Sequence, residues 1–306
     1  MKKIGPNEAC YCGSGLKYKK CHRSLDGAAP EDFPRVAREI YARRWSTNSD
    51  HFSADGHYDW MARLLAEYQP KRVLDIGCGN GAGILALYRI AMGEQGTLIS
   101  LEENPECLRV AVERSRKHHP SVRHVLRSER RQSHGEEIVS YRPLRSDEMR
   151  GFLLIESDIL SDPNLLSTLV AVEPFDAVTI WLIGSHDARS RCANLRQYGI
   201  RDVGEYRLHV QNTVYELADR ILRHGGVLQV VDRGITPDSE ELQSDVLQGH
   251  REQAEPTTLE VINLNYRPYE EPRHGERTAM MFTPGTSGYI PEVPRFSMVS
   301  VISVKR

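Results

Sequence analysis

The sequence predicts a doubly wound α/β sheet of seven strands behind a small cysteine-bearing N-terminal module. Three observations carry this reading. Short apolar runs at 73–76, 97–101, 152–155, 175–184, 227–231, 259–264 and 296–304 are separated by segments of helical period, and strands alternating with helices build a parallel sheet; the last run is read as antiparallel. The first run opens into a glycine-rich turn, Gly77-Cys78-Gly79-Asn80-Gly81. Three of the six cysteines lie within residues 10–21, followed at once by a histidine. A chain of 306 residues holds one large domain and an appendage. The expected division is a module over 1–24, a linker and helix over 25–56, and the sheet domain over 57–306.

The glycine turn is where a ligand is expected. Residues without a Cβ let the backbone take positive φ and approach a bound molecule closely, and the helix that follows, with Ile84, Leu87, Tyr88 and Ala91 on one face, aims free N–H groups at the same space. The turn fits the loose dinucleotide pattern G-x-G-x-x-G/A. Asp75, two residues before the first glycine, argues against a pyrophosphate and for a ligand carrying an ammonium and a sulfonium. The next strand ends in Glu102-Glu103, and a carboxylate at that tip can take two ribose hydroxyls.

Asp75-x-Gly77-x-Gly79-x-Gly81 followed by Glu102 resembles the class I, Rossmann-like, S-adenosylmethionine-dependent methyltransferases over roughly residues 58–232. The resemblance implies that Asp75 and the backbone of Gly77, Cys78, Gly79 and Gly81 lie near the methionine part of the cofactor. It implies that Glu102 holds the ribose with Glu103 beside it, and that Asp158 and Ile159, after the third strand, lie at the adenine. Trp181, at the end of the fourth strand, is a further candidate contact. Members that methylate amines often carry Asn-Pro-Pro-Tyr at that point; Trp181-Leu182-Ile183-Gly184 stands here, against a nucleobase-amine or glutamine-amide substrate. Ser185-His186-Asp187 follows, and His186 is a candidate proton acceptor, with a pKa suited to the role and Asp187 to orient it.

Cys10-Tyr11-Cys12 and Cys21-His22 give the spacing C-x-C-x8-C-H. Thiolates and an imidazole so spaced suit tetrahedral Zn²⁺, which gives a stretch too short for its own core a reason to fold. Residues 5–22 resemble the SEC-C motif, the zinc module at the C-terminus of the SecA translocase and on many other bacterial proteins. The resemblance implies Cys10, Cys12, Cys21 and His22 as ligands, and a bacterial source. Six Lys/Arg against Glu8 over residues 1–24 suggest docking on protein, ribosome or RNA; a solvated face explains them equally well.

The remaining expectations follow the chain. Residues 34–45 and 57–69 read as helices, with Phe52, Tyr58 and Trp60 either as lid aromatics or as core. Insertions are expected near 119–150, 184–204 and 266–295. The first carries ten Lys/Arg, five Asp/Glu and four histidines from Arg114 to Arg150 and reads as a hairpin or helix serving as substrate lid, basic contact surface or solvated excursion. Residues 203–223 read as a helix ended by Gly225-Gly226, and 277–282 as an extra strand. A formal charge of −2 excludes a global attraction to nucleic acid or acidic membrane. A mean hydropathy of −0.49 and the lack of an apolar run near 18 residues exclude a membrane span. The opening residues lack the apolar core of a secretory leader, and clustered thiols imply a reducing, cytoplasmic setting.

The sequence therefore points to an S-adenosylmethionine-dependent methyltransferase whose acceptor is a small molecule, or a protein or RNA target docked through the zinc module. A zinc-tethered adaptor with a non-catalytic cofactor fold is the alternative, and a nicotinamide enzyme is disfavoured by Asp75. On a two-domain reading, Cys12→Ala or Cys21→Ala unfolds residues 1–24 and leaves cofactor affinity largely intact.

Overall fold

A computed structural model describes residues 4–11, 16–272, 277–278 and 294–306. Its framework is one mixed sheet of eight strands in the order β3-β6-β2-β1-β7-β8-β10-β9. These are β1 (Arg72–Ile76), β2 (Thr97–Glu102), β3 (Arg123–Val125), β6 (Phe152–Glu156), β7 (Phe175–Trp181), β8 (Leu222–Ile235), β9 (Leu259–Pro268) and β10 (Phe296–Lys305). Strand β10 runs antiparallel to both β8 and β9, and the other pairings are parallel. The seven expected strands are present, and β3 is an eighth. It pairs with β6 at the sheet edge and lies inside the stretch read as an insertion. Arg-His-Val is too short and too polar to show strand periodicity, as suits an edge.

Helices cover both faces. Alternation along β1 sends Leu74 and Ile76 to one core and Val73 to the other. The first core packs on α6 (Leu165–Val170) and α7 (Val203–Ile221) and reaches Ala254, the last residue of α8 (Glu240–Ala254). The second packs on α2 (Phe33–Ala54), α3 (His57–Ala66), α4 (Ala82–Ala86) and α5 (Pro105–His118). The proline start of α5 is as expected: Asn104 Oδ1 accepts the Glu106 N–H at 3.0 Å. Helix α2 runs on well past residue 45. Helix α7 ends without its glycines: Leu222 is already extended, and the stretch holding Gly225 and Gly226 lies where the β7–β8 register shifts.

The basic stretch after α5 forms a hairpin, β4 (Ser128–Ser133) and β5 (Glu136–Tyr141). His134 and Gly135 both take positive φ, 51° and 79°, as a two-residue hairpin turn requires. Three arginine–carboxylate pairs bind the hairpin to the body. Arg38 of α2 pairs with Glu137 at 2.5 and 2.8 Å, Arg127 with Asp162, and Arg130 with Glu156 at 2.7 Å. Arg127 and Arg130 thus serve the interior, not a basic contact surface. Residues 187–198 form two short 3-10 turns; the first packs on α2 and the second on the hairpin, where Asn194 bonds both N–H and C=O of Val139. Phe52 and Tyr58 are buried in the second core. Most of the candidate strand 277–282 lies outside the described residues.

Candidate functional site

The parallel strands end at a cleft lined by Tyr41, Trp45, Ile76, Gly77, Gly79, Leu101, Glu102, Glu103, Ser157, Asp158, Ile159, Leu182, Ile183, Gly184, His186, Tyr206 and Val210. The glycine turn forms its floor. Gly77 and Cys78 donate their N–H groups to Leu101 O at 2.8 and 3.1 Å, tying the turn to β2. Gly79 has φ +54°, and a Cβ there would stand 2.2 Å from the Trp45 indole nitrogen. Gly81 serves packing instead: at φ +85° it caps α4, and a Cβ would meet the Ala111 backbone of α5 at 2.9 Å.

The carboxylates divide by role. Glu102 accepts the Gly79 N–H at 2.7 Å and the Asn104 N–H at 3.0 Å; burial, then the neighbouring Glu103 charge, pushes its carboxyl up to about 8. Asp158 accepts from Leu160 N–H, Ser161 Oγ and Arg189 Nη2 at 3.0, 2.7 and 2.7 Å. Ile159 lines the cleft beside it. Asp75 does not reach the cleft. It lies before the end of β1 and accepts the hydroxyls of Ser100 and Thr179 on the two flanking strands, at 2.6 and 2.8 Å. Burial raises it to about 6. Cys78 and Trp181 also turn away into the second core, where Trp181 Nε1 donates to Gln229 Oε1 at 3.1 Å.

His186 is in the cleft wall, but Asp187 is not its partner. The His186 Nε2 lies 2.5 Å from Glu103 Oε1, and Arg189 holds the other Glu103 oxygen at 3.3 Å. His186 Nδ1 is buried and has no hydrogen-bond partner among the described residues. The next side chain along, Asp187, is exposed. Glu103 carries a negative charge well below the usual carboxylate range: burial opposes this, and His186 and Arg189 outweigh it.

Two residues of the cleft escape a sequence reading. Tyr41 and Trp45 lie one turn apart on α2, with parallel rings 6.5 Å apart. Trp45 covers Gly79, and the Tyr41 hydroxyl covers Gly184. Their i, i+4 spacing was the available signal, and it marks a helix face without saying what that face meets. With both rings in place, the cleft retains a cavity of about 60 Å³.

The N-terminal module brings Cys10, Cys21 and His22 together. His22 Nδ1 lies 3.2 Å from each sulfur, and the three ligand atoms fall within 4.8 Å of one another. Tetrahedral Zn²⁺ bonds imply ligand separations of roughly 3.5 Å, so this donor set fits the metal. Cys12 lies outside the described residues. The short helix α1 (Arg23–Asp26) follows, and Tyr11 and Tyr18 both donate to Asp26, at 2.8 and 2.9 Å. Among the described residues, no helix is long and apolar enough to cross a membrane.

A family model described as a methyltransferase domain matches residues 69–128, and the SEC-C motif matches residues 7–24. No curated protein matches the chain. Among solved structures, the chain is similar to the N-methyltransferase NodS from Bradyrhizobium japonicum WM9 in complex with S-adenosyl-L-homocysteine, at 11% identity over 84% of this chain and 90% of that one, with a TM-score of 0.44. It is also similar to the O-methyltransferase TomG from Streptomyces achromogenes in complex with SAM, at 14% identity over 85% and 88%, with a TM-score of 0.41.

Proposed function

We propose that this chain, which carries a methyltransferase domain behind an N-terminal SEC-C motif, transfers a methyl group from S-adenosylmethionine to an acceptor that can lose a proton. The supporting observation is the set of Glu102, Glu103 and Asp158 at the tips of adjacent strands around a turn with no Cβ to block approach. Glu102 would take the ribose hydroxyls, Asp158 and Ile159 the adenine, and the Gly77–Gly79 backbone the methionine part. Bound there, the cofactor supplies an electrophilic methyl on a cationic sulfur. Tyr41 and Trp45 exclude water from the floor of the cleft and must shift for a ligand of that size to enter.

His186 is the group that would accept the acceptor's proton. Glu103 holds Nε2, which orients the ring, and Nδ1 has no hydrogen-bond partner among the described residues. Arg189 keeps Glu103 charged for that purpose. A positioned base contributes roughly 10²- to 10⁴-fold, and placement of the two reactants contributes more. Cys10, Cys21 and His22, with Cys12 from the same motif, would hold Zn²⁺ in a structural site closed to chemistry. The basic module would dock a protein or RNA acceptor, in the cytoplasm.

The test is calorimetric titration with S-adenosylmethionine and S-adenosylhomocysteine. Micromolar binding to zinc-loaded protein is expected. An absence of binding to folded protein would leave the adaptor reading, which the aromatic filling of the cleft otherwise favours.

A further inference from the structure

Helix α2 joins the module to the cleft. Near its start, Arg38 is fixed to Glu137 of the hairpin. Near its end, Ser49 bonds Asn80 at 2.7 Å and Tyr58 at 2.9 Å. Between these anchors the helix presents two faces. One carries Tyr41 and Trp45 into the cleft. The other carries Ala37, Ile40 and Arg44 to the module. Leu25 of α1, Ala37, Ile40 and Ala188 make a buried apolar cluster of their own, and Arg44 Nη2 donates to Cys21 Sγ at 3.0 Å. Arg44 Nε is buried without a partner among the described residues, so the sulfur contact is what orients the guanidinium. A metal-bound thiolate is charged and accepts such a bond more strongly than a thiol. Ala188 belongs to the turn that carries His186 and Arg189, and Arg191 of that turn lies 3.8 Å over the Phe33 ring. The module therefore bears on both walls of the cleft at once.

We propose that the docked SEC-C module is an autoinhibitory clamp: through Arg44 and the Leu25–Ile40–Ala188 seam it holds α2 and the 186–191 turn closed, with Tyr41 and Trp45 in the cofactor's space. The inference rests on the reading of the cleft as a cofactor site. A cavity of about 60 Å³ is far below the roughly 300–1,000 Å³ of ligand pockets. Each ring is packed against a neighbour, Trp45 edge-on to Phe52 at 6.4 Å and Tyr41 tilted against His186 at 5.6 Å, so neither moves without displacing it. Entry of the cofactor therefore shifts α2 against the module, and a ligand that prefers the open form loses affinity in proportion to the stability of the closed one.

Full-length, zinc-loaded protein is titrated with S-adenosylhomocysteine as wild type, Arg44→Met and Leu25→Ala. Both variants should bind more tightly, by roughly 5-fold or more, as couplings between sites commonly run roughly 5- to 150-fold. Coupling is reciprocal, so saturating S-adenosylhomocysteine should weaken zinc affinity of wild type in equilibrium competition with a chromogenic chelator, and should do so less in Arg44→Met. Leu25→Ala, which acts from the module's side, decides the matter if Arg44→Met folds poorly. Equal or weaker affinity in variants with wild-type circular dichroism overturns the clamp and leaves the cofactor reading standing. No binding to wild type or either variant overturns both.

Discussion

Two appendages flank the cleft, and they are attached by different physics. The β4–β5 hairpin is held by three arginine–carboxylate pairs, two of them buried: Arg127–Asp162 and Arg38–Glu137. Removing either partner strands a charge in the interior, so these joints do not open without unfolding their surroundings. Among the described residues, the N-terminal module meets the body through a small apolar seam and the Arg44–Cys21 N–H···S bond. Releasing these contacts breaks no arginine–carboxylate pair. The hairpin is a wall, and it backs the cleft directly: Arg130 also donates to Glu103 O. The module is built to let go.

The comparison can be broken at the hairpin first. Arg127→Met should destabilise the sheet domain by about 3–5 kcal/mol, read as a lower midpoint in urea; a loss below about 1 kcal/mol would mean that the pair is not the joint described. Next comes the cleft between the appendages. Glu102→Ala should weaken S-adenosylmethionine binding by about 1.5–3 kcal/mol, the range for hydrogen bonds to a charged group. The pH dependence follows from the same residue. Its carboxyl keeps a proton up to about 8 in the ligand-free protein, and a cationic cofactor with hydroxyl donors favours the carboxylate. Affinity should therefore rise as pH rises through about 8, with proton release visible in calorimetry across buffers of different ionisation heat. Glu102→Gln should flatten that slope.

At the module the effects are smaller. Cys10→Ser should unfold the module locally and move the urea midpoint of the sheet domain by less than about 1 kcal/mol, as for a locally unfolding unit. A global loss like that of Arg127→Met would erase the distinction between the two appendages. Smallest of all, Asp187→Asn should leave kcat within about twofold, an exposed substitution being worth about 0.5 kcal/mol or less. A collapse in kcat would return the orienting role to Asp187.

Much of this was legible in the chain itself. Seven strands announce themselves as apolar runs because a sheet covered on both faces demands them. The glycine turn and the cysteine spacing are local patterns whose chemistry depends on near neighbours, and both fall where the family models match. The N-cap at Asn104 is likewise local. What local pattern could not reveal was which distant groups meet. Glu103 and His186 are 83 positions apart, and only the parallel packing of β1 between β2 and β7 brings their loops together, so Asp187 looked like the partner by adjacency alone. Asp75 was aimed at the crevice by its place near a strand end, yet two hydroxyls on flanking strands claim it. Tyr41 and Trp45 become cleft residues only because α2 is anchored across the strand ends. The edge strand β3 exists because β6 offers it an open ladder. Sequence determined the elements and their chemistry, since these rest on spacing and propensity over a few residues; tertiary structure decided partnership, since that depends on which ends of the sheet the topology stacks side by side.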